Sequence, residues 1–176
     1  MQYTRFQRCA LGFTMLVACA SPPGFFSGVS LAAPVAELTP SGDAIEVSFL
    51  GADGTQFKET IPVYRAGTIR YFSAGIGLEE RAAQYPPFPL KVIFVVGARA
   101  YLSQVAVTIT DKAGKSLLDV PGEKVTGPWL FVDLPPGTYT ISGAGPGGAR
   151  VHDQVTIAAH QVKTVYLRWK GEGTAQ

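Results

Sequence analysis

Cysteine, histidine and charge of either sign are scarce in this chain of 176 residues. Both cysteines, Cys9 and Cys19, lie near the N-terminus, so the rest of the chain has no internal disulfide and no cysteine-ligated zinc site. The two histidines, His152 and His160, cannot supply the three protein ligands of a catalytic zinc. We therefore expect no metal site, no cofactor and no catalytic residue.

Two adjacent pairs could suggest acid/base chemistry, but their spacing argues against it. His152 and Asp153 lie on a predicted strand, where neighbouring side chains point to opposite faces. Glu79 and Glu80 lie on a predicted helix, where neighbours diverge by about 100°. Neither pair brings a base to its partner, and the prediction is that the protein is not an enzyme.

The small net charge excludes one class of partner. The chain has 15 basic and 13 acidic side chains, and Arg5 and Arg8 belong to a leader that contains no acid. Without the leader the counts are equal, at 13 each. A neutral surface has no attraction for a phosphate backbone, so nucleic acid is not expected as a partner.

The first 32 residues have the pattern of a secretory signal peptide. Residues 1–8 are positive, and residues 9–20 form an apolar run that is too short to span a bilayer, which needs about 20 residues. We expect no transmembrane span in the mature protein, cleavage after Ala32 and a periplasmic product. Residues 18–20 also fit the small-x-small cleavage rule.

A lipoprotein signal that ends before Cys19 is the other alternative. Residues 16–19, LVAC, resemble a lipobox, in which the cysteine is lipidated and becomes the mature N-terminus. Cys19 is therefore the candidate lipidation residue, and the alternative location is a lipid-anchored envelope protein.

Beyond the leader, the pattern predicts an all-β fold with one short helix. Residues 33–75 are predicted as a β-rich N-terminal segment, because Ile45, Val47 and Phe49 alternate with polar residues. Residues 76–88 are predicted as a short helix, over 78–84, and a proline-rich linker. Seven strands within residues 89–170 predict a β-sandwich, and residues 171–176 are a tail. The seven segments are 91–96, 105–109, 116–120, 130–134, 138–142, 150–157 and 162–169.

A family resemblance is carried by residues 134–141, LPPGTYTI. This segment resembles the LPPGxYxV segment of carboxypeptidase regulatory-like domains, and the resemblance implies a seven-stranded, transthyretin-like or immunoglobulin-like sandwich. Residues 75–81 (GIGLEER), 127–129 (GPW) and 167–169 (LRW) are similar to a group of exported bacterial proteins of unassigned function built around this domain. In the resembled family the domain is a non-catalytic accessory module.

Four residues are predicted to have structural roles. Pro136 keeps the chain extended, and Gly137 permits its reversal into the next strand. Tyr139 is expected to enter the core ring-first, with its hydroxyl bonded to a nearby backbone group, as in a tyrosine corner. Trp129 is expected to be an aromatic anchor at the start of a strand.

The predicted function is the binding of a protein or another cell-envelope component by an exported, non-catalytic β-sandwich. The alternative is a carbohydrate-binding module, because small sandwiches bind glycans through exposed aromatic side chains. The exposure of the candidate platforms separates the two functions, since a row of solvent-facing rings favours a glycan. These candidates are Tyr64, Tyr71, Phe72, Tyr85 and Tyr101.

Overall fold

The computed structural model describes residues 33–51, 53–98 and 100–171. The leader, with Cys19 and both predicted cleavage regions, lies outside these residues. No helix among the described residues is long and apolar enough to cross a membrane. The elements, in chain order, are β1 (Val35–Leu38), β2 (Ala44–Leu50), β3 (Gln56–Pro62), β4 (Tyr64–Ala66), β5 (Ile69–Ala74), α1 (Leu78–Ala82), β6 (Leu90–Val96), β7 (Ala100–Tyr101), β8 (Ala106–Asp111), β9 (Ser116–Val120), a 3-10 helix (Gly122–Lys124), β10 (Trp129–Val132), β11 (Gly137–Ala144), β12 (Arg150–Ile157) and β13 (Lys163–Trp169).

The predicted all-β class with one short helix is confirmed. Seven of the strands, β6 and β8 to β13, fall on the seven segments predicted for the sandwich, and β7 adds a two-residue strand. The helix α1 ends at Ala82, and Ala83 has an extended backbone with ψ 143°. The helix is therefore two residues shorter than predicted.

The strands form three sheets. The first sheet has the order β1-β2-β3, the central sheet has the order β13-β6-β10-β5-β4 with β7 also paired to β6, and the third has the order β12-β11-β8-β9. β13 pairs with β6 in parallel, whereas the other pairs of strands are antiparallel. The parallel pair places both ends of the predicted sandwich, β6 and β13, side by side.

The middle strands of the central sheet, β5, β6 and β10, are buried on both faces. Leu90, Val92 and Phe94 of β6 belong to a core shared with the third sheet. Ile93 and Val95 of the same strand belong to a second core, shared with the first sheet. Burial on both faces explains why β6 is a continuous apolar run rather than an alternating one.

Residues 33–75 divide between two sheets. β1, β2 and β3 form the first sheet, whereas β4 and β5 belong to the central sheet, where β5 pairs with β10. The Arg70 guanidinium contacts the Asp133 carboxylate at 2.6 Å and so ties β5 to the segment after β10. The central sheet therefore begins before residue 89, where the predicted sandwich begins.

Candidate functional site

The loop before α1 is held by side chains of the helix itself. Oε2 of Glu80, a residue only 3% exposed, accepts hydrogen bonds from the backbone N–H of Gly75 at 2.5 Å and of Ile76 at 3.2 Å. Arg81 Nε donates to the carbonyl of Gly77 at 3.1 Å. A buried carboxylate needs such donors, so these hydrogen bonds stabilise both the buried position of Glu80 and the conformation of the loop.

The GPW segment, residues 127–129, packs against the end of β5 that leads into this loop. Its glycine, Gly127, cannot be replaced by a residue with a Cβ unless the neighbouring backbone moves. Gly127 N–H donates to Ser73 Oγ at 2.9 Å, and Ser73 Oγ donates to the Gly127 carbonyl at 3.2 Å. A Cβ at Gly127 would lie 2.2 Å from the carbonyl oxygen of Ala74. The next residue, Pro128, accepts a hydrogen bond from Phe94 N–H at 2.9 Å.

Trp129 forms the floor beneath this loop. It is 8% exposed, and a Cβ at Gly75, where φ is +95°, would lie 3.0 Å from its Cδ2 atom. The Lys91 ammonium lies 3.4 Å from the centre of the Trp129 ring, a cation–π contact, and burial lowers the pKa of Lys91. Trp129 Nε1 is buried without a hydrogen-bond partner among the described residues.

The loop, Tyr101 of β7 and Pro128 of the GPW segment line an open cleft of about 210 Å³. Ile76 and Tyr101, which line the cleft, are 61% and 48% exposed, and Leu78 at the start of α1 is 74% exposed. The Arg81 guanidinium lies 5.7 Å from the centre of the Tyr101 ring. We call this region the α1–β7 cleft; its lining also includes Leu102, Ser103, Thr126 and Pro128.

The lining of the α1–β7 cleft suits binding better than catalysis. It offers one cation, Arg81, together with the hydroxyls of Tyr101, Ser103 and Thr126, and its lining includes no carboxylate, histidine or cysteine. Across the described ranges, no cluster of three His, Cys, Asp or Glu residues could hold a metal ion. Nucleophilic catalysis needs a base within hydrogen-bond reach of the nucleophile, and the lining supplies none.

A pair of carboxylates lies behind the loop, and its members are not the neighbours seen in the sequence. Glu59 on β3 is an exposed residue, and partial loss of water around its carboxyl group raises its pKa, as do the negative charge of Glu80 and a hydrogen bond between the two carboxyl groups. Burial, with the charges of Glu80 and Glu59, also raises the pKa of Tyr85. The Tyr85 hydroxyl is buried without a partner in the described part of the chain. No sequence signal links Glu59 to Glu80, because they lie on β3 and α1 and approach each other only in the folded chain.

Of the four predicted structural residues, the two aromatic ones lie in different cores. The Tyr139 ring is 5% exposed in the core between the central and third sheets, and its hydroxyl donates to the Pro135 carbonyl at 2.8 Å. A Cβ at Gly137 would lie 2.9 Å from the Tyr139 hydroxyl, whereas Pro136 is exposed. Trp129, at the start of β10, belongs to the other core, directly after Pro128, which lines the cleft.

The aromatic residues predicted as glycan platforms do not form an exposed row. Tyr71 and Phe72 are buried, Tyr64 and Tyr85 are partly buried, and Tyr101 alone of the five is exposed. The two histidines are exposed, His152 on β12 and His160 in the turn before β13. The described structure thus brings the GIGLEER and GPW segments together at the cleft. Neither histidine lines the cleft, since His152 lies on β12 and His160 lies in the turn before β13.

No family model matches the chain, and no curated protein matches it. Two solved structures of BcpA, the major pilin subunit of Bacillus cereus, one of them a variant, resemble it with TM-scores of 0.30 and 0.31. The sequence identities are 13% and 12%, and the matches cover 81% and 72% of this chain but 40% and 37% of the pilin chains. The chain thus spans less than half the length of these pilins. The fold described above is defined by the pairing of the chain's own strands.

Proposed function

We propose that this chain is a non-catalytic β-sandwich that binds a protein partner in the α1–β7 cleft. The observation that carries the proposal is the pair of exposed apolar side chains that line the cleft, Ile76 and Tyr101, with the exposed Leu78 two residues along the chain from Ile76. Exposed apolar groups rimmed by polar residues are typical of protein interaction sites. Arginine beside an aromatic ring, as in Arg81 and Tyr101, is a pairing often found where binding energy concentrates.

The size of the cleft favours a protein side chain over a small molecule. Its volume of about 210 Å³ is below the roughly 300–1,000 Å³ typical of small-molecule pockets. The loop that forms one wall is held by Glu80 and Arg81, so little ordering is required when a partner binds. A glycan would need a platform of exposed rings, and four of the five candidate rings are buried or partly buried.

The binding experiment compares variants that change only exposed side chains. We expect tagged wild-type protein to capture an envelope protein that Ile76→Asp and Leu78→Asp fail to capture, because a carboxylate at the cleft opposes apolar docking. Val162→Asp is the matched control, since Val162 is 51% exposed between β12 and β13. A partner retained by both cleft variants, or lost equally from the control, would contradict the proposal.

We also propose that the sandwich is a carboxypeptidase regulatory-like module exported to the periplasm by cleavage after Ala32. The LPPGTYTI segment and the positive, acid-free leader support this proposal. The alternative, a lipid anchor at Cys19, predicts that Cys19→Ser moves the protein out of the membrane fraction. Incorporation of labelled palmitate into wild-type protein would support the anchor and overturn the soluble periplasmic product.

A further inference from the structure

A different surface, the outer edge of β3, carries a second mode of binding. β3 is the last strand of the first sheet and pairs only with β2 among the described residues. We propose that this edge accepts an extended segment of a partner protein as a fourth antiparallel strand. The proposal is independent of the α1–β7 cleft.

The ladder between β2 and β3 shows which backbone groups are free. Val63 N–H donates to the Asp43 carbonyl at 2.7 Å, and Gly51 N–H donates to the Thr55 carbonyl at 2.8 Å. These bonds lie at the two ends of the ladder, and hydrogen-bonded pairs alternate along an antiparallel ladder. The odd-numbered residues of β3 therefore direct their backbone N–H and C=O groups toward β2. The even-numbered residues therefore direct their backbone N–H and C=O groups outward.

Three consecutive outward residues, Gln56, Lys58 and Thr60, have no hydrogen-bond partner for these groups in the described structure. Each offers one donor and one acceptor, and successive residues of this set are about 6.8 Å apart along the strand. An extended polypeptide repeats its own N–H and C=O groups at the same spacing. The recognition chemistry is therefore that of a β-strand rather than of a small ligand.

Three other edges in the described structure are shorter or obstructed, and β13, a seven-residue strand at the end of the central sheet, is the remaining comparable edge. On β1, the Ala36 N–H already donates to the Gln84 carbonyl at 3.0 Å. On β12, the Gln154 N–H donates to the Asp153 carboxylate at 2.8 Å, which removes one of its outward donors. β9 has only five residues, and its ladder with β8 shifts register. The seven residues of β3 form an edge without such obstacles.

The side chains of β3 define what the incoming strand needs. Phe57 is 46% exposed and stacks on Phe49 with 5.6 Å between ring centres, so an apolar residue is favoured beside it. On the opposite face, Lys58 lies 2.6 Å from Glu46, and a polar or acidic neighbour is favoured there. The partner strand should therefore alternate apolar and polar residues, with the apolar face on the side of Phe57.

A second copy of this chain meets like charges or proline in three of the four central registers, and the register centred on Phe57 is the one that a dimer would need, so a dimer in solution would contradict the assignment to a different protein. Antiparallel pairing of two β3 strands centred on Lys58 places two lysines opposite each other, and centring on Glu59 places two glutamates opposite each other. Centring on Thr60 places Pro62, which has no N–H, opposite Lys58. Like charges directly opposite are destabilising, so we assign the edge to a different protein.

The first test measures amide hydrogen exchange in the full chain by NMR. The amides of Gln56, Lys58 and Thr60 should exchange quickly, while those of Phe57, Glu59 and Ile61 should be protected by the ladder with β2. Protection of the first set in the free protein would mean that the edge is already covered and would overturn the proposal.

The second test adds a synthetic probe strand, a capped peptide with the sequence of residues 44–50, AIEVSFL. This sequence already pairs with β3 as β2, and it alternates apolar and polar residues as required. We expect saturable shifts and slowed exchange at Gln56, Lys58 and Thr60. The absence of saturable shifts at millimolar peptide, or shifts confined to β9 or β12, would overturn the proposal.

Proline variants provide the matched control for the probe. Thr60→Pro removes one outward N–H without breaking a bond to β2, and should weaken probe binding about tenfold, the equivalent of one hydrogen bond. His152→Pro removes an N–H that faces away from β11 on the outer side of β12 and should leave probe binding unchanged. Exchange of the inner β3 amides verifies that Thr60→Pro folds. Equal effects of the two variants would contradict the assignment to β3.

Discussion

Removal of the Tyr139 hydroxyl tests the corner that follows Pro135 and Pro136. The hydroxyl donates to the Pro135 carbonyl at 2.8 Å, and burial, then the charge of Asp111, raise the pKa of the phenol. Tyr139→Phe deletes this hydrogen bond and keeps the ring, which is 5% exposed. The substitution therefore isolates the polar contribution of the corner from its packing.

The expected cost of Tyr139→Phe is about 1 kcal/mol, the net contribution of one hydrogen bond. Because Pro135 is exposed, water can replace the lost donor at its carbonyl, so the cost should not exceed that value. The midpoint of thermal unfolding should fall by about 2–4 °C for a chain of this size. Tyr139→Ala also removes the ring from the core and should cost about 3–5 kcal/mol.

Urea melts of the full chain measure both costs, with His152→Ala as the control because His152 is exposed. Wild-type and control curves should coincide, Tyr139→Phe should shift slightly, and Tyr139→Ala should shift strongly with a similar slope. A Tyr139→Ala melt equal to wild type would refute the role of the corner in stability. If His152→Ala abolished partner binding, our assignment of no chemistry to that residue would be wrong.

Three further predictions concern stability and fold. Gly127→Ala should cost about 1–3 kcal/mol by overpacking, because its Cβ would lie 2.2 Å from the Ala74 carbonyl oxygen; an unchanged thermal midpoint would refute this. Partial loss of water and the charge of Glu80 raise the pKa of Glu59 above the ordinary value of 4.5, so Glu59 stabilises the fold fully below that pH and less as pH rises through its folded pKa. Urea melts from about pH 4 to pH 7 should therefore show a smaller loss of stability for Glu59→Gln than for wild type, and parallel curves would contradict the reasoning. Far-UV circular dichroism should show a β-rich spectrum, and helix above about one-third would contradict the fold.

The sequence was most informative where physical constraints are local. Turn residues and alternation predicted the seven strands from β6 to β13 apart from β7, because glycine, proline and a period of two act over a few residues. The proline pair, Gly137 and Tyr139 likewise lie within five consecutive positions. Their predicted roles depend on neighbours in the chain, but Gly137 begins β11 without a left-handed φ, so contact with the Tyr139 hydroxyl rather than a chain reversal explains the glycine.

Contacts between distant segments could not be predicted in this way. The apolar run of β6 indicated a central strand, but it did not reveal that β5 would lie two strands away from β6, with β10 between them. Glu59 and Glu80 meet because β3 and α1 pack together, and nothing in their spacing indicates this. The α1–β7 cleft similarly required the loop at Gly75 and the segment at Gly127 to meet at the ends of the paired strands β5 and β10, which are far apart in the sequence.

Burial of the middle strands of the central sheet on both faces has a practical consequence for recombinant work. A fragment that begins at residue 89 would leave β10 without β5 along one side. It would also expose the ring face formed by Trp129 and Phe131 together with Ile93 and Val95, which the first sheet covers in the full chain. An unpaired edge beside an apolar face invites strand exchange between copies and aggregation. Expression should therefore begin upstream of β1, at residue 33, where the fragment retains the strands that cover this face.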